Sequence, residues 1–144
     1  MKKYILVLAM LVGGAGSAIA ACPNNGPGYL NANAVISLLS NRTACSPANC
    51  TLAAGNCQWQ EFHEGNGGGA LIEQHSATAA DPRETVGTWS VTNGTNNGTV
   101  THTYSGGGSF PYRVHSNSAT EYSFCGPNGE FTFTVKSTLG SNPC

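Results

Sequence analysis

Seven short segments of the chain alternate apolar and polar residues, and this alternation constrains the fold more than any other feature. Period-two alternation over such lengths is typical of half-buried β-strands. Clusters of Gly and Asn separate the segments and supply the backbone conformations that tight hairpins need. Because no helical pattern lies between them, successive strands are predicted to pair antiparallel as a meander. The predicted strands span residues 58–63, 70–75, 86–92, 99–105, 110–116, 120–125 and 130–137, with a possible short strand at 43–45.

The last five predicted strands share one apolar and aromatic face, whereas their other face is polar and rich in Thr. A twisted meander with such a face has to be covered or to close on itself. The one predicted helix, residues 33–40 with an Asn31 or Asn33 cap, is too short to cover it. We therefore predict a mainly β fold, an antiparallel meander closing into a small barrel or half-barrel of 7–8 strands, with the short N-terminal helix plugging one end. The apolar face comprises Trp89, Val91, Val100, Tyr104, Phe110, Tyr112, Val114, Tyr122, Phe124, Phe131, Phe133 and Val135.

Charge is scarce, since charged residues make up 9% of the 144 and the formal net charge is -1. Nucleic acids and anionic membrane surfaces are bound mainly through clustered Lys and Arg, of which the chain has six in total. This composition excludes both kinds of partner.

The first 20 residues follow the pattern of a secretory signal peptide. Lys2 and Lys3 precede a short apolar run at 4–12, and small residues end in Ala18-Ile19-Ala20. We expect residues 1–20 to be the signal peptide, 21–30 a turn-rich lead-in and 31–144 a single disulfide-linked β domain, with no transmembrane segment in the mature chain. The protein is then exported to the periplasm or the medium. The alternative is a lipid anchor on Cys22, because residues 19–22 also resemble a bacterial lipobox.

Six cysteines in an exported chain indicate three disulfides. Lipidation of Cys22 would leave an odd number, which favours soluble export over the lipid anchor. Fifteen pairings are possible, and proximity along the chain suggests Cys50 with Cys57, Cys45 with Cys125 and Cys22 with Cys144. A metal site made of Cys45, Cys50, Cys57 and His63 has no zinc-like spacing, so we expect no metal and no other cofactor.

Five motifs occur along the chain, namely Leu38-Leu39-Ser40-Asn41, the Thr43-Ala44-Cys45 strand, Trp59-Gln60-Glu61-Phe62-His63, Val86-Gly87-Thr88-Trp89-Ser90-Val91 and Tyr122-Ser123-Phe124-Cys125. Together they resemble small exported proteobacterial proteins of unknown function that have a lipocalin-like, calycin-type meander. Gly87-Thr88-Trp89 also matches the Gly-x-Trp signature of lipocalins, although two predicted strands precede it here and it lies on the first strand in lipocalins. The resemblance implies a barrel architecture and export, and it implies no activity.

Titratable residues give no catalytic pattern. His63, His75 and His102 could bind a metal if they converged, but we expect them to be scattered at the surface or the rim. The sequence contains no His-Glu-x-x-His zincin motif and no Gly-x-Ser-x-Gly nucleophile elbow. The acidic residues near the first strands are interpreted as solvated charges, and these are Glu61, Glu64, Glu73, Asp81 and Glu84.

We therefore expect a non-enzymatic protein that binds a small apolar or aromatic ligand in the barrel mouth, or a partner through loops 65–69 and 76–84. One alternative is a structural or envelope-associated protein acting through its outer surface. Another is a metal-dependent hydrolase that uses His63, His75 or His102 with a nearby Glu. The candidate ligand-binding residues are Trp59, Trp89, His102, Tyr104 and Tyr112.

Overall fold

Eight antiparallel strands form a closed barrel in chain order, with β8 pairing back onto β1, as the alternation predicts. The computed structural model describes residues 22–24, 26–74, 83–93 and 97–144. The predicted signal peptide, His75 and most of the 76–84 loop lie outside these ranges. The elements are α1 (Ala32–Leu39), β1 (Arg42–Ser46), a 3-10 turn (Leu52–Ala54), β2 (Trp59–His63), β3 (Gly68–Glu73), β4 (Glu84–Asn93), β5 (Gly98–Tyr104), β6 (Ser109–Ser116), β7 (Glu121–Gly126) and β8 (Gly129–Val135).

Helix α1 plugs one end of the barrel. Asn31 caps it, since its Oδ1 accepts a hydrogen bond from the Ala34 amide at 2.9 Å. Val35 and Leu39 lie on one face of the helix and are fully buried in the barrel core. A side chain at Gly98, where β5 begins, would lie 2.5 Å from the Cα of Ala32, so the helix crosses this strand at backbone contact. This end of the barrel is therefore closed.

The predicted aromatic face is the interior of the barrel. Phe124 and Phe133 stack with ring centroids 4.0 Å apart, and both are at most 1% exposed. Val100, Val114 and Trp89 are buried in the same cluster. Phe124, Phe133 and Trp89 thus pack with Val100 and Val114 in the core.

A C-terminal segment, residues 136–144, covers the outer face of β1 and β2. Its Lys136 amide donates to the carbonyl of Thr43, and its Cys144 amide donates to Oε1 of Gln60. Thr43 and Phe62, which point away from the barrel interior, are consequently buried. Part of the outer face is therefore a second, smaller buried layer that the strand pattern does not predict.

Three disulfides are present, as predicted, but two of the suggested pairings are wrong. Cys50 pairs with Cys57, whereas Cys22 pairs with Cys125 and Cys45 pairs with Cys144. The reason is geometric, because the tail returns over β1, where Cys45 points outward. The N-terminal lead-in instead runs beside β6, with the Leu30 amide donating to the carbonyl of Val114.

In the ranges that the structure describes, no helix is long and apolar enough to cross a bilayer.

Candidate functional site

A cavity of about 180 Å³ lies inside the barrel at the end away from α1. Strand β5 shows this arrangement, because Gly98 at its start touches the helix and Tyr104 at its end lines the cavity. The cavity shares Trp59, Glu61 and Tyr104 with an outer groove of about 700 Å³, which forms its mouth. The cavity is lined by Trp59, Glu61, His102, Tyr104, Tyr112, Phe124 and Phe131.

Four of the five predicted ligand-binding residues line this cavity, namely Trp59, His102, Tyr104 and Tyr112. The fifth, Trp89, does not. It is 2% exposed, its indole Nε1 donates to the carbonyl of Glu64 at 2.7 Å, and its ring meets His63 edge to face. Trp89 is therefore a core residue between the cavity and the plugged end.

Three carboxylates lie side by side across the mouth. Glu61 on β2 is directly opposite Glu73 on β3, and Glu73 is directly opposite Glu84 on β4. Directly paired residues point to the same side of a sheet, so all three share the interior face. Exposure increases along the row, because Glu61 is buried, Glu73 is half-buried and Glu84 is exposed. The interpretation of these acids as solvated charges is wrong for Glu61, which is 6% exposed.

Among the described residues, one carboxylate oxygen of Glu61 has a hydrogen-bond partner and the other has none. Tyr104 donates its hydroxyl to Oε1 at 2.7 Å. Oε2 lies 3.9 Å from Nδ1 of His102, beyond hydrogen-bond distance. Burial raises the pKa of Glu61 to about 7, with the hydrogen bond from Tyr104 acting against the rise and the charge of Glu73 adding to it. The carboxyl group of Glu61 therefore gains or loses its proton near neutral pH.

His63 and His102 meet in the core, so the prediction of scattered rim histidines is wrong for this pair. Their Nε2 atoms are 3.1 Å apart, and the two side chains are 0% and 2% exposed. Burial lowers the pKa of His102 to about 4. Burial also lowers the pKa of His63, and the neighbouring His102 adds to that effect. Both rings are therefore neutral at physiological pH.

The hydrogen bonds assign the proton positions on the two rings. Nδ1 of His63 lies 3.2 Å from the carbonyl of Glu61, which can only accept, so the proton of His63 is on Nδ1. Its Nε2 then accepts from Nε2–H of His102. This leaves the lone pair of His102 on Nδ1, facing Oε2 of Glu61. Two hydrogen-bond acceptors thus face each other at the inner end of the cavity whenever Glu61 is ionised.

The histidine pair has no third metal-ligating partner in the described part of the chain. The one trio found there, Cys50, Cys57 and Cys144, has its sulfurs within 4.8 Å of one another, and all three are in disulfides. Disulfide sulfurs are not thiolate ligands. The expectation that His75 lies at the surface or the rim stays a prediction, since His75 is outside the described ranges.

Two members of the site, Glu61 and His63, are missing from the predicted ligand-binding set. The signal that could have found them is the alternation within β2. Trp59, Glu61 and His63 have the same parity, so placing Trp59 inside places the other two inside as well.

No protein-family model matches the chain, and no curated protein and no solved structure is significantly similar to it. Function therefore has to be inferred from the geometry of the cavity.

Replacing Glu61 by Gln is expected to stabilise the fold at high pH and to leave it unchanged at low pH. The carboxyl pKa is raised from 4.5 to about 7, so folding favours the protonated form. Its contribution is complete below about pH 4.5 and is lost as the pH rises through 7. The variant should gain about 2–3 kcal/mol over the wild type by about pH 8, because Gln retains the acceptor for Tyr104 without the buried charge. Urea unfolding across this pH range measures the difference.

The control for this prediction is Glu130→Gln, which removes an exposed carboxyl group from β8. A gain in Glu61→Gln that does not depend on pH, or an equal gain in Glu130→Gln, would contradict the assignment of a protonated Glu61 in the core.

Proposed function

We propose that the protein is an exported, lipocalin-like binding protein of bacterial, proteobacterial type, which holds one small ligand in the cavity of its barrel. The observation that carries this proposal is the aromatic cavity at the unplugged end, where interior side chains leave about 180 Å³ unfilled. Small eight-stranded barrels are wide enough to hold one small ligand or to be filled by side chains. Here α1 and the stacked rings fill one end, and the other end is left open to the groove.

The volume and lining of the cavity select a compact ligand with an aromatic or apolar body. An engineered apolar cavity of about 150 Å³ takes up benzene, so a single ring fits a space of this size. Five of the seven lining residues are aromatic rings of Trp, Tyr or Phe. Glu61 and His102 add polar groups at one place, which is the usual composition of a pocket that orients its ligand.

Export is supported by the disulfides, since three bridges persist in an oxidising compartment and are rare in the cytosol. The pairing of Cys22 with Cys125 also favours soluble export over the lipid anchor. A diacylglycerol thioether would need the same sulfur of Cys22.

Ligand binding is expected to change the fluorescence of Trp59 and to leave that of Trp89 unchanged. The chain has two tryptophans, and Trp59 lines the cavity whereas Trp89 is buried behind it. Trp89→Phe therefore leaves a single reporter in the site, and Trp59→Phe is the matched control. Each variant is titrated with benzyl alcohol, benzylammonium and benzoate, three single-ring probes that differ in charge.

A saturable change with at least one probe in Trp89→Phe and none in Trp59→Phe supports the proposal. No saturable change with any probe into the millimolar range would overturn it, and the role of an envelope-associated surface protein would then be favoured.

A further inference from the structure

We infer that the ligand is a small organic cation, a protonated primary or secondary amine on an aromatic or apolar body, with Glu61 as its counter-ion. This inference rests on the proposed function, because it names the class of ligand that the same cavity takes. Three features of the cavity support it: the hydrogen-bond acceptors beside Glu61, the aromatic residues of the wall and the charges around Glu61.

The two facing acceptors can take a donor from a ligand in the cavity. Oε2 of ionised Glu61 and Nδ1 of His102 are 3.9 Å apart, and no hydrogen bond within the described residues satisfies that oxygen. A nitrogen placed at about 2.8 Å from both atoms fits between them, which is the length of a charge-assisted hydrogen bond. An ammonium group has the N–H donors for both acceptors and the positive charge for the carboxylate. A carboxylate ligand would add a third acceptor and a like charge.

The aromatic residues that line the cavity favour a positively charged hydrogen-bond donor over a neutral one. Trp59, Tyr104, Tyr112 and Phe131 line the same cavity as Glu61. Faces of aromatic rings attract an ammonium group, and the attraction increases when water is excluded. None of the described residues lining the cavity or the groove is Lys or Arg, so none of these side chains places a permanent positive charge beside Glu61.

Among the described titratable groups around Glu61, those that carry charge are acidic and the others are neutral. On its own strand, His63 is buried and neutral, and on β3 and β4 Glu73 and Glu84 add negative charge. On β5 and β6, His102 is neutral and the hydroxyls of Tyr104 and Tyr112 stay protonated, because burial raises the pKa of both. The residue opposite on β1 is Ala44, which has no charge. The row from Glu84 to Glu61 therefore forms an acidic path that attracts a cation toward the cavity.

Binding of the cation is coupled to release of a proton from Glu61. In the free protein the carboxyl pKa of about 7 leaves the group partly protonated at neutral pH. The ammonium binds the ionised form, so the proton leaves to solvent as the ligand enters. The observed affinity should consequently fall about 30-fold from about pH 8 to about pH 5.5, over which an amine stays protonated.

The experiment compares three probes of similar shape, benzylammonium, benzyl alcohol and benzoate, by calorimetry on the wild type, Glu61→Gln and Glu130→Gln. We expect benzylammonium to bind the wild type at least tenfold more tightly than the other two. Glu61→Gln should remove this preference and the pH dependence, while Glu130→Gln, at an exposed position, should keep both. Because Gln is an isostere of the protonated side chain, the variant is expected to fold, and thermal unfolding verifies it.

The outcomes separate this inference from the proposal on which it rests. Equal or tighter binding of benzyl alcohol, with no effect of Glu61→Gln, would overturn the cation and keep the cavity as a ligand site. Tighter binding of benzoate would also overturn it. Binding of none of the probes would overturn both statements.

Discussion

Replacing Cys45 and Cys144 together by Ser is expected to lower the free energy of unfolding by about 4 kcal/mol. The two residues are 99 positions apart along the chain, and even with the Cys22–Cys125 bridge intact their bond closes a loop of about 40 residues. A loop of this length restricts the unfolded chain strongly. The bond also fixes the C-terminal segment over β1, where it buries Thr43 and Phe62. Urea unfolding under oxidising conditions measures the change.

The matched control is Cys50→Ser with Cys57→Ser. This bridge joins residues separated by only seven positions, and the same loop-entropy relation gives it about 2 kcal/mol. Equal losses of stability in the two double variants would contradict the prediction, because the stabilisation by the Cys45–Cys144 bridge would then not depend on the length of the loop that it closes.

Phe133→Ala is expected to lower the free energy of unfolding by about 4 kcal/mol, the range of large-to-small changes at buried aromatic positions. The side chain is fully buried, stacks on Phe124 at 4.0 Å and also contacts Tyr122. Both neighbours lie on the adjoining strand β7. The cavity left by the missing ring could therefore close only if β7 and β8 moved together. Chemical unfolding of the purified protein gives the value.

Thr88→Ala is the control for the core substitution, because Thr88 lies on the exposed outer face of β4. It should change stability by no more than about 0.5 kcal/mol. A loss in Phe133→Ala close to that small value would mean that the stacked rings do not form the core.

The strands and their order could be predicted from the sequence because each step is local. Alternation fixes which residues of β4 to β8 share a face, and short Gly- and Asn-rich turns leave no room for any connection other than a hairpin. The helix was predicted one residue late, at 33–40 instead of Ala32–Leu39, because either Asn31 or Asn33 could cap it. β1 extends one residue beyond each end of the predicted 43–45 segment, where it pairs with β2.

The disulfide pairing could not be predicted because it depends on where the two chain ends run. Strand periodicity places Cys45 and Cys125 on strands but does not say which end of the chain passes over each. The lead-in follows β6 and reaches Cys125, while the tail crosses β1 and reaches Cys45. Neither segment has a repeating pattern from which its path could be derived.

The buried polar group of the site was missed for a different reason. Glu is a residue type that is mostly exposed and His is intermediate, so residue type alone does not place Glu61 and His63 in the interior. The parity of β2 places them on the same side as Trp59, and the structure shows that this side is the interior, since Glu61 is directly opposite Ala44 and Glu73. Functional sites are where such local preferences are expected to fail.

The order in which the cysteines are synthesised sets a requirement for oxidative folding. Cys22, Cys45, Cys50 and Cys57 all emerge before Cys125 or Cys144, and each long bridge joins one of the four early thiols to one of the two late ones. An oxidant that acts on the nascent chain can therefore form only one of the three native bonds, and any other early bond has to be exchanged later. Recombinant production consequently calls for a thiol–disulfide isomerase, or for oxidation delayed until the barrel has closed.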